Sequence, residues 1–159
     1  MRDARKAKDD EGPPPTGPGD RVREGGEIPS APSPADLGRQ GEEEAARYLL
    51  SLGWTILGRN LRTRGSEIDL ACRAGEEMVF VEVRVRSLGK LQPPESTVGP
   101  RKMAHLIRGA RTLAERWQWK GPWRIDLVAF TVDRKGVWRR EHLEDITAGG
   151  WDPWGSCRG

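Results

Sequence analysis

The chain contains few of the residue types that several common classes of protein require. Its 159 residues include only two cysteines, two histidines, one tyrosine and two phenylalanines. Cys72 and Cys157 lie far apart, and neither has Cys or His at a zinc-ligand spacing, which argues against a disulfide scaffold or a zinc finger. No apolar run approaches the length of a membrane span, and the charged N-terminus has no signal-peptide core. We therefore expect a cytoplasmic protein with no membrane partner.

Residues 1 to 34 have the composition of a disordered segment. They contain seven prolines, five glycines and thirteen charged residues, and Val22 and Ile28 are their only sizeable aliphatic side chains. Such a segment cannot bury enough apolar surface to offset the entropy lost on ordering. We predict a disordered tail over residues 1–34, one folded domain over 35–147 and a flexible C-terminal end over 148–159.

The periodicity of the central region predicts a single α/β domain. Helical spacing runs from Ala35 to Leu52 and stops at Gly53, and a second apolar stripe runs from Pro100 to Trp117. Strand patterns cover residues 54–62, 67–73, 78–86 and 123–132, and residues 136–140 can form a hairpin with the last of these. The order of helix, three strands, helix and strand predicts a mixed central sheet flanked by helices.

Three carboxylates lie inside the predicted strands. Glu67 and Asp69 belong to one strand, and Glu82 follows in the next, thirteen residues after Asp69. Strand interiors disfavour Asp and Glu, and burial penalises them unless a partner offsets the charge. A divalent cation is one such partner.

Alternation along the two strands predicts which side chains share a face. One face of the second strand carries Val79, Val81, Val83 and Val85, and the other carries Phe80, Glu82, Arg84 and Arg86. The first strand is predicted to place Glu67, Asp69 and Ala71 opposite Ile68, Leu70 and Cys72. A glycine-containing turn over residues 73–77 joins the strands as a hairpin. If the acidic faces coincide, Asp69 and Glu82 converge as two oxygen ligands of the kind that hold Mg²⁺.

Several motifs in fixed order resemble those of the PD-(D/E)XK nuclease superfamily, and most fully those of its YraN-like family of small bacterial proteins. The resemblance covers about residues 37 to 146. The matching residues are Gly41, Glu42, Ala45, Tyr48, Leu49, Asn60, Arg62, the run 67–70, the run 79–83, Arg86, Lys102 and Asp126.

The resemblance implies a restriction-endonuclease-like core and a metal-dependent endonuclease similar to Holliday junction resolvases. By this resemblance Asp69, Glu82 and the backbone carbonyl of Val83 would hold Mg²⁺ or Mn²⁺, and Glu42 on the first helix would complete the metal shell. Arg84 would be the fourth catalytic position. Taken alone, Glu42 has a second reading, as a salt-bridged residue near a helix N-terminus.

Two positions depart from the family pattern, which has lysine at Arg84 and glycine at Ser66. The exchange at Ser66 is expected only to adjust a turn. The exchange at Arg84 touches the chemistry, because arginine stays protonated and cannot act as a base. Its planar fork can still clamp a phosphate. Hydrolysis then depends on a metal-bound water or on a lysine supplied from elsewhere, such as Lys102.

Nucleic acid, in particular DNA, is the predicted partner. Outside the tail the chain has 21 basic and 17 acidic residues, a net charge of about +4 that is compatible with phosphate binding without requiring it. The predicted nucleic-acid-binding residues are Arg62, Arg86, Lys102 and Arg108. A homodimer is left open.

Other readings stay open from the sequence. A non-catalytic nucleic-acid-binding protein on a nuclease scaffold competes with the enzyme, and a protein-interaction module is a third alternative. Glu67 can pair with Arg62 or Arg64 across a surface ladder, and Asp126 can brace the fold rather than act in chemistry. Trp117, Trp119 and Trp123 favour packing at a corner over base stacking.

Overall fold

The described residues, 31–87 and 98–147 of a computed structural model, form a five-stranded sheet with a helix on each face. The elements are α1 (Pro34–Ser51), β1 (Thr55–Thr63), β2 (Ser66–Ala74), β3 (Glu77–Ser87), α2 (Pro100–Arg116), β4 (Trp123–Val132) and β5 (Trp138–Leu143). The strands lie in chain order, and of their four pairings only that of β3 with β4 is parallel. The α/β class and the mixed, helix-flanked sheet are confirmed, and they agree with a restriction-endonuclease-like core.

Parts of the predicted organisation lie outside the described residues. These are residues 1–30 of the predicted tail, most of the loop predicted between β3 and α2, and the whole predicted C-terminal end. Among residues 31–87 and 98–147, neither helix combines the length and the apolar composition that crossing a bilayer needs.

Local signals set the ends of α1. The side chain of Ser33 accepts a hydrogen bond from the backbone N–H of Asp36, and the Asp36 carboxylate accepts one from the backbone N–H of Ser33. This capping box satisfies two donors that the first turn of a helix leaves without partners. Gly53, at φ 82°, follows the last turn in the left-handed conformation that glycine adopts without steric penalty. The predicted end of the first helix is therefore confirmed.

Each face of the sheet is packed against one helix. The α2-side cluster consists of Ile68, Ala71, Met78, Phe80, Val98, Met103, Leu106, Ala110, Leu113, Ala114, Ile125, Leu127 and Ala129. The α1-side cluster consists of Ala45, Ala46, Leu49, Leu70, Cys72, Val79, Val81, Val83, Val128 and Phe130. The strands are long apolar runs because both faces are covered.

The predicted alternation of β3 is confirmed. Val79, Val81 and Val83 belong to the α1-side cluster and Val85 packs against it, whereas Phe80 belongs to the α2-side cluster. Glu82 and Arg84 therefore face the α2 side. The turn between β2 and β3 consists of Gly75, at φ 61°, and Glu76, which confirms the predicted hairpin.

The predicted alternation of β2 is wrong at Ile68. Ile68 packs on the α2 side, whereas Leu70, two residues later, packs on the α1 side. Regular alternation would place both on one face. The regular alternation of side chains between the two faces of the sheet is therefore interrupted at Asp69. As a result, Ile68 does not share the face of Leu70 and Cys72.

The last strand also differs from its prediction. A hairpin strand was expected over residues 136–140, but β5 runs over Trp138–Leu143 and pairs antiparallel with β4. Gly136, at φ 79°, lies in the turn rather than in the strand. The Asp133 side chain accepts hydrogen bonds from the backbone N–H groups of Lys135 and Val137, and these bonds delay the start of the strand.

The tryptophans at the corner between α2 and β4 are divided in role. Trp119 and Trp123 pack against the α2-side cluster, and Trp123 meets Phe80 edge to face with ring centroids 5.8 Å apart. The indole N–H of Trp119 donates to the carbonyl of Pro122. Trp117 is exposed. Packing is thus the observed role of the two inward-facing rings.

Candidate active site

The candidate site forms where β2 and β3 separate. Their pairing ends at Leu70 opposite Val81, so Asp69 and Glu82 lie just beyond the last paired residues, on the side away from the turn. One oxygen of the Asp69 carboxylate accepts a hydrogen bond of 2.8 Å from the backbone N–H of Val83. A side chain thus takes the place of a backbone partner in the ladder, and the predicted convergence of Asp69 and Glu82 is the arrangement that this register produces.

Glu82 lies in the floor of the site with only 3% of its side chain exposed. Its Oε1 atom contacts two cations, the Arg84 guanidinium at 2.9 Å and the Lys102 ammonium at 3.3 Å. Its Oε2 atom is buried and has no hydrogen-bond partner among the described residues, and the buried Nε of Arg84 has none either. Such atoms are rare in folded proteins and call for an explanation, for example an ion or a ligand.

Lys102 reaches Glu82 because α2 is attached to the turn between β1 and β2. The Ser66 hydroxyl donates to the carbonyl of His105 at 2.7 Å, and Nδ1 of His105 donates to the carbonyl of Gly65 at 2.7 Å. His105 is one helical turn beyond Lys102. A Cβ atom on Gly109 would lie 2.4 Å from the Ser66 hydroxyl, so only glycine allows this approach. Ser66, where the family has glycine, therefore does more than adjust a turn.

Glu42 approaches Asp69 from α1. It is partly buried, and burial together with the charges of Asp69 and Glu67 raises the pKa of its carboxyl. A hydrogen bond from the Asn60 side chain acts in the opposite direction. Glu42 therefore lies within electrostatic reach of Asp69.

The protonation of the two strand carboxylates reflects their surroundings. Burial raises the pKa of Asp69, although the hydrogen bond from Val83 and the charges of Lys102 and Arg84 oppose the rise. Burial and the neighbouring Asp69 raise the pKa of Glu82 to about 7. Near neutral pH and without a further cation, the Glu82 carboxyl is therefore about half protonated, whereas an isolated glutamate is almost fully ionised.

Stability without divalent ions should fall as pH rises. Glu82 has an ordinary pKa of 4.5 and a folded-state pKa of about 7, so its protonated form favours the folded state. This contribution, on the order of 3 kcal/mol, is complete below pH 4.5 and is lost as pH rises through 7. We expect urea melts at several pH values in chelator to show this fall, and Glu82→Gln to flatten it. An equally steep fall in Glu82→Gln would contradict the assignment.

The remaining predicted site residues lie around this centre. Arg62 is 80% exposed on β1 and pairs with Glu67 at 3.8 Å, which is the surface ladder that the sequence left open for Glu67. Arg86 is partly buried two residues beyond Arg84, and Arg108 is exposed on α2. The two ion pairs of Glu82 described above are made by Arg84 and Lys102. Within residues 31–87 and 98–147, no three or more His, Cys, Asp or Glu side chains are grouped so as to hold a metal by themselves.

Another buried carboxylate, Asp126, lies on the α1 side of β4 and forms a separate network. Its Oδ1 accepts hydrogen bonds of 2.9 Å from Nε of Arg124 and from the backbone N–H of Asp145, and its Oδ2 accepts one of 2.8 Å from Nε2 of His142. The Tyr48 hydroxyl lies 3.1 Å from Nδ1 of His142. Burial raises the pKa of Asp126, but these hydrogen bonds outweigh it and the pKa is lowered. Asp126 braces α1, β4 and β5.

Sequence reasoning missed the partners in this network and in the site. Tyr48 and His142 are 94 residues apart, and nothing in the sequence pairs them. Asn60 was noted only as part of a matching motif. Its φ of 48° inside a strand is a conformation that no sequence pattern here indicated.

The comparisons agree with the architecture of the site. Residues 41–130 match Uncharacterised protein family UPF0102. A UPF0102 protein of Anaeromyxobacter dehalogenans is 45% identical over 114 residues, covering 67% of this chain and 80% of the relative. Similar proteins of Nitratidesulfovibrio vulgaris (39% over 127 residues; 74% and 94%) and Janthinobacterium sp. (37% over 107 residues; 67% and 86%) carry the same family name, which states no activity. The chain belongs to family UPF0102, the YraN-like family of the PD-(D/E)XK nuclease superfamily.

Proposed function

We propose that the protein is a metal-dependent endonuclease that hydrolyses DNA phosphodiester bonds, with branched DNA among its substrates. The observation that carries the proposal is the pairing of the partly buried Asp69 with the buried Glu82 where β2 and β3 separate, with a lysine ammonium 3.3 Å from Glu82. Two carboxylates and a lysine brought together in this way are the elements of metal-assisted phosphodiester hydrolysis.

The residues of the site fit Mg²⁺ or Mn²⁺. Oε2 of Glu82 is buried and has no hydrogen-bond partner in the described part of the chain, and the charge of Asp69 disfavours the ionised form of Glu82. Mg²⁺ needs only one or two carboxylates from the protein and completes its shell with water and phosphate oxygens, so a cage of three acidic side chains is not required. Asp69, Glu82 and the Val83 carbonyl would hold the ion, with Glu42 in support. When bound, such an ion acidifies a coordinated water and offsets phosphate charge.

Lys102 takes the part of the lysine that the family has at the Arg84 position. Both side chains contact the same oxygen of Glu82, but only the lysine can release a proton. In its neutral form, Lys102 would therefore position the attacking water and accept a proton from it. Arg84 would bind a non-bridging oxygen of the scissile phosphate, because its buried Nε–H has no acceptor within residues 31–87 and 98–147.

The arginines around the site suit a polyanion. Arg62, Arg86 and Arg108 lie on β1, β3 and α2, and Arg62 and Arg108 are exposed. Lysine and arginine contacts to phosphates provide the sequence-independent part of DNA affinity. We propose that these residues hold the backbone on either side of the scissile bond.

Thermal melting with Mn²⁺ tests the metal site directly. An ion that binds only the native state raises stability by RT ln(1 + [L]/Kd), about 2.7 kcal/mol at a hundredfold excess over Kd. We expect the melting temperature of the wild type to rise with millimolar Mn²⁺, and that of Asp69→Asn/Glu82→Gln to stay constant. Glu76→Gln, which changes a carboxylate whose side chain is 94% exposed, serves as the control and should respond like the wild type. An unresponsive wild type would refute the site.

A non-catalytic nucleic-acid-binding protein is the second candidate. It is favoured by the pairing of Glu82 with Arg84 and Lys102, since two cations already compensate the buried carboxylate. A cleavage assay on branched, nicked and linear DNA with Mg²⁺ and Mn²⁺ separates the two functions. Binding of DNA with no cleavage of any substrate would favour the second.

A further inference from the structure

We propose that Asn60 is a positioning residue of this site. Its side-chain amide holds Glu42, and its left-handed backbone conformation changes the direction of the β1 side chains across from Asp69. The inference rests on the proposed function and extends it to a residue that touches neither water nor phosphate in the mechanism above. Three observations on separate parts of the structure carry it.

The first observation is the register of β1 and β2. Arg59 pairs with Leu70 and Leu61 pairs with Ile68, so Asn60 lies directly across from Asp69. Leu61 packs on the α2 side together with Ile68, whereas Arg59 reaches Glu43 on α1. The alternation of side chains between the two faces is therefore interrupted in β1 at Asn60, directly across from the interruption of β2 at Asp69. Because the alternation is interrupted at facing positions of both strands, β1 and β2 stay paired where β2 separates from β3.

The second observation is the backbone of Asn60. Its φ of 48° lies in the left-handed region, which is uncommon outside glycine and which asparagine tolerates better than most residues. The other described non-glycine residues with positive φ, Gln118 and Asp145, follow the ends of α2 and β5. Asn60 alone among them lies inside a strand. Strained conformations of this kind persist where the surroundings impose them, often at functional sites.

The third observation is the side chain. The Asn60 side chain is close enough to the carboxylate of Glu42 to lower its pKa. Glycine would adopt the same φ without penalty, so the backbone by itself does not require asparagine. The amide therefore adds a contact between β1 and α1 that orients Glu42 toward Asp69. Partners of this kind, which hold a ligating side chain from behind, typically change metal affinity by about 10–100-fold when removed.

Asn60→Gly separates the two parts of the proposal, because it keeps the backbone conformation and removes the amide. We expect its melting temperature in chelator to match that of the wild type, and its Kd for Mn²⁺, measured by electron paramagnetic resonance, to rise about 10–100-fold. Gln118→Gly is the matched control, since it relaxes a similar φ of 52° away from the site. Its Kd for Mn²⁺ should not change.

A double-mutant cycle with Glu42→Gln shows whether Asn60 acts through Glu42. In that background Asn60→Gly should change the Kd for Mn²⁺ by less than about twofold. An unchanged Kd in the single variant, or an equal loss in both backgrounds, would overturn this inference while leaving the metal site intact. A wild type that binds no Mn²⁺ would overturn the proposed function, and this inference with it.

Discussion

Lys102→Arg should lower metal-dependent cleavage by about 10²–10⁴-fold, which is the usual contribution of a general acid or base. The ammonium lies 3.3 Å from Glu82, and in the proposed function it exchanges a proton with the attacking water. Arginine keeps the charge but not the exchangeable proton. Single-turnover cleavage rates should therefore fall, while the Kd for DNA should change little.

A swapped variant sharpens this test. Arg84 and Lys102 contact the same Glu82 oxygen and are equally accessible, with 36% and 37% of their side chains exposed. Arg84→Lys/Lys102→Arg restores one lysine and one arginine at the site, and we expect it to recover part of the activity that Lys102→Arg loses. Lys135→Arg, in the turn before β5, should behave like the wild type. Full activity of Lys102→Arg would show that the metal-bound water needs no lysine.

Asp126→Ala should destabilise the fold by about 3–5 kcal/mol, the usual effect of removing one partner from a buried ionic network. The carboxylate is completely buried, and its loss removes the hydrogen bonds that it accepts from Nε of Arg124, Nε2 of His142 and the backbone N–H of Asp145. The urea midpoint should fall accordingly. Glu76→Ala, at an exposed position, should change the free energy of unfolding by no more than about 0.5 kcal/mol.

The loss of stability at low pH provides a second test of the role of Asp126. Because the folded-state pKa of Asp126 is below its ordinary 3.8, its contribution is present above that pH and is lost as pH falls through the folded-state value. This window lies well below the one predicted for Glu82. The Asp126→Ala variant should lose less stability than the wild type on acidification below about pH 4. A parallel loss would assign acid unfolding to other carboxylates.

Local patterns were enough for the elements and for the pairing of the two acidic strands. The run of alternating valines fixes the faces of β3, because period-two alternation expresses which side is covered. The short turn at Gly75 then brings together Asp69, which precedes Leu70, and Glu82, which follows Val81. These are contacts between neighbours in sequence, and a sequence states them directly.

The sequence by itself therefore determined the α/β class, the hairpin that carries Asp69 and Glu82, and the departure at Arg84. Only the tertiary structure decided that Lys102 meets Glu82, since this depends on the bonds that attach α2 to the turn at Gly65 and Ser66. The interrupted alternation of β2 at Asp69 and of β1 at Asn60 could not be predicted from the sequence pattern, for a related reason. A left-handed φ changes the direction of every later side chain, but it is selected by packing on both faces of the sheet and not by the residues next to it.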